Sequence, residues 1–203
     1  WSENFSQFVV PKAKNFKNNF YLISGGKDKS KLFNFYQILK KHDIETKKLD
    51  NDVVLNKKIF KENNSILVPK NQNKIRLIEA MFNDSTKFED SLFYDVSAWS
   101  FLHSFNLEHV NFNSKKTFKN LDFKKPEGKI INTSDYAYIF PWDDYYSSKV
   151  LYKLLSIGIR TKVATEPFTI GSKKFDYGSV LIHSVNQKLS PEEITKKIIS
   201  LSR

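Results

Sequence analysis

Two histidines and one acid are the residue types here that most invite a reaction. His42-Asp43-Ile44-Glu45 forms an H-x-x-E pair, and His183 in "IHSVNQ" supplies a second imidazole after a long gap. Two His and one Glu around an open fourth position is the donor set of a hydrolytic zinc site, because the open position holds the water that the metal acidifies. The local pattern argues against convergence. His42 closes a lysine-rich helical stretch and Glu45 opens an alternating one, so the two side chains leave different elements. His103 and His109 have no partner ligands at a metal-binding spacing.

A serine offers a second chemistry. Asp95-Val96-Ser97-Ala98-Trp99 falls at a strand-to-helix turn, where a nucleophile elbow would sit. An elbow is tight and needs small residues two positions either side of the nucleophile, whereas Asp95 and Trp99 occupy those positions. Ser97 reads instead as the cap of a helix that packs Trp99, Leu102 and Phe105, with Asp95 left at a sheet end facing a cleft. Gly25-Gly26 follows the first strand, a place where α/β proteins cradle phosphate, but fits neither G-x-G-x-x-G nor the P-loop pattern. It reads as a turn of unusual φ. Asp143-Asp144 reads as the cap and dipole partner of the helix that follows.

These residues are held by alternating strand and helix patterns. "FYLIS" is an apolar run, and "SKLFNFYQILKKH" sets Leu32, Phe35, Tyr36 and Leu39 on one helical face with Ser30 as N-cap. "IETKKL" alternates, which makes a strand–helix–strand unit of the length a parallel crossover requires. "SILVP", "NKIRLIEAMFND", "SLFYDV" and "SAWSFLHSFN" continue the alternation, as do "YAYIFPW" and "DYYSSKVLYKLLSIG", the last stopped by Gly158. "RTKVAT" and "YGSVLIHS" are strands. "SPEEITKKIISLSR" is a closing helix opened by Ser190, Pro191 and two acids. Strands alternating with helices predict a three-layer α/β fold with a mostly parallel open sheet. Residues 1–19 read as a linker, residues 20–203 as one domain, and no internal repeat stands out.

The bulk numbers narrow the classes. Forty per cent hydrophobic residues, with eighteen Phe and nine Tyr, supply a core and argue against disorder. No run reaches the length of a membrane span, and the first residues lack the pattern of a signal peptide. A start on Trp1 reads as a processed or excised beginning, with any export signal lying upstream. The absence of cysteine excludes disulfides, thiolate metal sites and cysteine nucleophiles. The net charge of +11 is carried almost wholly by lysines spread along the chain, with arginine at three positions. Nucleic-acid readout favours arginine forks, so no nucleic-acid partner is expected.

Four stretches together resemble a known family. "ILVPKNQNKIRLIEAMF", "FEDSLFYDVSAWSF", "YAYIFPWDDYYSSKVLYKLLSIGI" and "FDYGSVLIHSVNQKLSPEEI" are similar to the non-catalytic region that follows the peptidase domain in large bacterial zinc carboxypeptidase-like proteins. The most specific parts are DSLFYDVSAW and the block Phe175, Gly178, Ser179, Val180, Leu181 and Ile182. The resemblance implies a flavodoxin-like, class I glutamine amidotransferase-like α/β domain without that enzyme's cysteine. It also implies a metallocarboxypeptidase parent whose zinc lies in an upstream domain, and a periplasmic or extracellular location. The expected function is a non-catalytic accessory or interaction domain with no cofactor of its own. Its expected partner is the peptidase domain of the same polypeptide, with a peptide substrate or a second subunit as further partners. The alternative is a small-ligand site at the C-terminal ends of the strands, lined by Gly25, Gly26, Asp95 and Trp142.

Overall fold

The computed structural model describes residues 16–82 and 100–202. The Asp95–Trp99 turn, the stretch "SLFYDV" and most of the expected linker lie outside the described residues. The chain divides into two compact units between Lys124 and Lys125, inside the span read from sequence as one domain.

The first unit runs β1 (Asn19–Ser24), α1 (Lys29–Lys41), β2 (Lys47–Lys48), β3 (Val53–Leu55), β4 (Lys58–Phe60), β5 (Ser65–Pro69), α2 (Ile75–Met81), α3 (Phe101–Ser104) and β6 (Glu108–Asn113). Its main sheet has the order β2-β5-β1-β6, and every neighbouring pair is antiparallel. This overturns the expected mostly parallel, flavodoxin-like or amidotransferase-like sheet. The physical reason is the β3–β4 hairpin. Helix α1 does carry the chain across so that β2 runs with β1, but Asn56 and Lys57, both at positive φ, then form a two-residue turn that reverses it. Strand β5 enters the gap between β1 and β2, antiparallel to both. The result is a split β-α-β arrangement.

Alternation along β1 sends side chains to two cores. Ile23 packs with Leu32, Phe35 and Leu39 of α1, with Ile66 and Val68 of β5, and with Ile78 and Met81 of α2. Leu22 packs on the opposite face with Leu67, Leu49, Phe60 and Phe118, and Val110 and Phe112 of β6 pack against this cluster.

The second unit repeats the plan: β7 (Ala137–Phe140), α4 (Ser147–Ser156), β8 (Lys162–Val163), β9 (Phe168–Ile170), β10 (Lys173–Phe175), β11 (Val180–His183) and α5 (Pro191–Leu201). The order is β7-β11-β8, again antiparallel, with the β9–β10 hairpin inserted before β11 as β3–β4 is before β5. Tyr138, Leu154, Ile159, Ile182 and Ile194 form its core. Much of the correspondence keeps a constant offset of 115 residues. Leu39 and Leu154 are buried and accept the N–H of Ile44 and Ile159, each at 3.0 Å. Asp43 and Gly158 take positive φ at the same step. The chain therefore contains an internal structural repeat that does not stand out in its residue pattern. Among the described residues no strand takes in the second unit the place that β6 takes in the first.

Candidate functional site

The glycine pair sits at the end of β1, where expected, and is tied down by its own unit. Ser24 Oγ accepts the Gly26 N–H at 3.1 Å and donates to the Asn64 carbonyl at 3.2 Å, while Asn64 Nδ2 donates to the Gly26 carbonyl at 2.6 Å. A Cβ on Gly25 would stand 2.5 Å from the Asp28 carbonyl oxygen and 2.9 Å from Leu32 Cβ, so the turn closes only over glycine. Asp28, not Ser30, caps α1, its carboxylate accepting from Ser30 and Lys31. These contacts position a helix. An acidic cap also sets a negative charge where an anion would bind.

Trp142 occupies the matching place at the end of β7. Its side chain lies over Gly178, at 3.2–3.3 Å from where a Cβ would be, and Gly178 has φ +78°. Gly25 and Gly26 thus belong to one unit and Trp142 to the other, while Asp95 lies outside the described residues. The acid pair is displaced from its expected role as well. Tyr146 is the N-cap of α4, and the Asp144 carbonyl accepts from Ser147 N–H in the turn before it.

The histidines and Glu45 likewise serve the scaffold. His42 is the C-cap of α1, and Glu45 reaches Lys47 at 3.4 Å. His183 lies in the second unit with its ring 5.7 Å from that of Tyr136. Among the described residues no group of three His, Cys, Asp or Glu could hold a metal ion.

Two glutamines went unnoticed in the sequence. Gln72 accepts the Glu45 N–H at 2.8 Å and donates to the Glu45 and Pro69 carbonyls. Gln187 accepts the Arg160 N–H at 2.9 Å and donates to the Arg160 and His183 carbonyls. Each pins the loop after a crossover helix to the end of the central strand. The signal was present: "FKENNSILVPKNQ" and "FDYGSVLIHSVNQ" share their Phe, Ser, Leu and Gln in order.

The surface that stands out is Asp135-Tyr136-Ala137-Tyr138-Ile139-Phe140-Pro141-Trp142-Asp143, which contains β7. Tyr136 is 71% exposed and Trp142 44%, one at each end of the strand. Among the described residues, the large apolar side chains exposed to solvent belong mostly to the second unit, Tyr145, Tyr152, Leu155 and Tyr177 included. The same unit has an open groove of about 410 Å³ between residues 129–133 and the end of α5, and Trp142 is not among the residues that line it.

No family model, curated protein or solved structure matches this chain. Among the described residues no helix is long and apolar enough to cross a membrane.

Proposed function

We propose that this chain is an interaction module of a zinc carboxypeptidase-like protein, with the peptidase chemistry and its zinc in an upstream domain and the parent acting outside the cytoplasm. The observation that carries the interaction role is the number of exposed aromatic side chains in the second unit, Tyr136, Trp142, Tyr152 and Tyr177 among them. Aromatic side chains are enriched where one polypeptide meets another. The parentage rests on the four resembling stretches alone, because the antiparallel pairing excludes the amidotransferase-like fold that the resemblance implies.

Reading the gene upstream of Trp1 tests the parentage. The expected result is a peptidase domain carrying its own zinc ligands; a gene without one overturns the reading. Where the domain is present, mixing it with this chain and measuring association by calorimetry tests the role. Binding weakened by Trp142→Ala is expected, and no association at micromolar concentration sinks the role.

A further inference from the structure

We propose that the open edge of β7 receives an extended polypeptide strand, antiparallel to it, with apolar residues at alternate positions and basic residues at its ends. The inference deepens the interaction role and rests on it.

The internal repeat supplies the template. Leu22 of β1 pairs with Leu67 of β5 on one side and with Val110 of β6 on the other. Ile139 of β7 pairs with Leu181 of β11, and no strand lies on its other side among the described residues. The Tyr136 carbonyl accepts the Ser184 N–H at 2.9 Å, which sets that carbonyl and the backbone groups of Tyr138 and Phe140 toward β11. Those of Ala137 and Ile139 point away. Ser134 Oγ takes the Ala137 N–H at 3.3 Å, and Ser147 Oγ donates to the Pro141 carbonyl at 2.7 Å. The ends of the edge are thus satisfied locally, and its centre presents Ile139.

Side chains tell the same story. Leu22 and Leu67 are both 0% exposed in a cluster against which Val110 and Phe112 of β6 pack, whereas their counterparts Ile139 and Leu181 are only half-buried. A strand bearing two apolar residues two positions apart would complete this face, as β6 does in the first unit. The other edges of the two main sheets are guarded. Strand β6 carries Glu108, His109, Asn111 and Asn113, β8 is two residues long with Lys162, and Lys119–Leu121 bonds along β2. Strand β7 has no charge and no internal proline.

Charge decides the occupant. Two copies paired about Ile139 would bring Asp135 of each toward Asp143 of the other, both in the bends that flank β7, so that like charges approach at each end of the pair. A foreign strand with lysine or arginine at those two places meets opposite charges instead.

The test uses the full 203-residue chain and a capped nine-residue peptide, Lys-Leu-Glu-His-Val-Asn-Phe-Asn-Lys, which copies residues 106–114 with lysine at both ends. Exchange of the Ile139 amide is followed by NMR. The expected result is exchange slowed at least about tenfold at saturating peptide, with the protection abolished when the peptide valine is N-methylated. The pair Asp135→Lys and Asp143→Lys should weaken binding several-fold. Unchanged Ile139 exchange at millimolar peptide overturns the proposal, as does equal protection by the N-methylated peptide. Protection without peptide that rises with protein concentration overturns it in favour of a second copy. A gene with an upstream peptidase domain but an unresponsive Ile139 removes only the edge proposal; a gene without one removes the parentage and leaves this result standing.

Discussion

Lys70 follows β5, with its ammonium 4.0 Å from the centre of the Tyr21 ring and 2.6 Å from Asn111 Oδ1. Burial pushes its pKa below the ordinary lysine value of 10.5, and the Glu79 carboxylate opposes that shift. A lowered folded pKa means the folded chain binds fewer protons than the unfolded one in that range, so this residue's contribution to stability rises with pH. The penalty is fully present below the folded value and fades as pH climbs toward 10.5. By NMR, the Lys70 Nζ should titrate below the exposed lysines. In Lys70→Met, the gain in unfolding free energy between neutral pH and about pH 10 that this site supplies should disappear. The paired glutamines give a second expectation at this scale. Gln72 is buried, so Gln72→Ala strands the Glu45 N–H and should cost about 1–3 kcal/mol in denaturant unfolding. Gln187 bonds Arg160 at the surface, where water replaces it, and Gln187→Ala should cost less than about 1 kcal/mol.

Element ends follow local rules closely. Helix α5 begins with a full capping box: Ser190 Oγ accepts from Glu193 N–H, Glu193 carboxylate accepts from Ser190 N–H, and Pro191 is the first helical residue. Ser190→Ala should lower stability by about 1 kcal/mol, read from the thermal midpoint of the second unit. Glycine is required where two elements approach. Gly25→Ala drives a methyl into the Asp28 carbonyl and Leu32, neither of which can retreat without moving α1, and should cost about 1–3 kcal/mol. A smaller loss than that of Ser190→Ala would show that the turn relaxes. The strand–helix–strand pattern of residues 20–49 and the strand "SILVP" were legible, because apolar periodicity reports which face is buried. The two hairpins were missed. Their strands are three residues long and their turns carry one weak signal each, Asn56 and Gly171.

Over the whole molecule, each unit buries its own cluster: Leu39 with Ile23 and Phe35 in the first, Leu154 with Tyr138 and Ile182 in the second. Leu39→Ala and Leu154→Ala should each cost about 2–5 kcal/mol, through lost burial plus the cavity left behind. Hydrogen exchange should rise within residues 16–124 for the first substitution and within 125–202 for the second. Equal acceleration across both spans for either variant would mean that the units unfold as one cooperative body.

By itself the sequence determined the helices α1, α2, α4 and α5, the strands β1 and β5, the helix ends at Ser190 and Gly158, and the exclusion of cysteine chemistry. All of these depend on neighbours within a few residues. Strand order, the antiparallel sheets and the repeat were decided only in three dimensions. Two-residue alternation records which side of a sheet a strand buries but not which slot it fills, and the slot of β5 depends on where a short hairpin returns the chain. The candidate site divides the same way. Asp135, Tyr136, Trp142 and Asp143 are plain in the sequence, but that they flank an unguarded sheet edge follows from the absence, among the described residues, of a strand beside β7 in the place β6 takes beside β1.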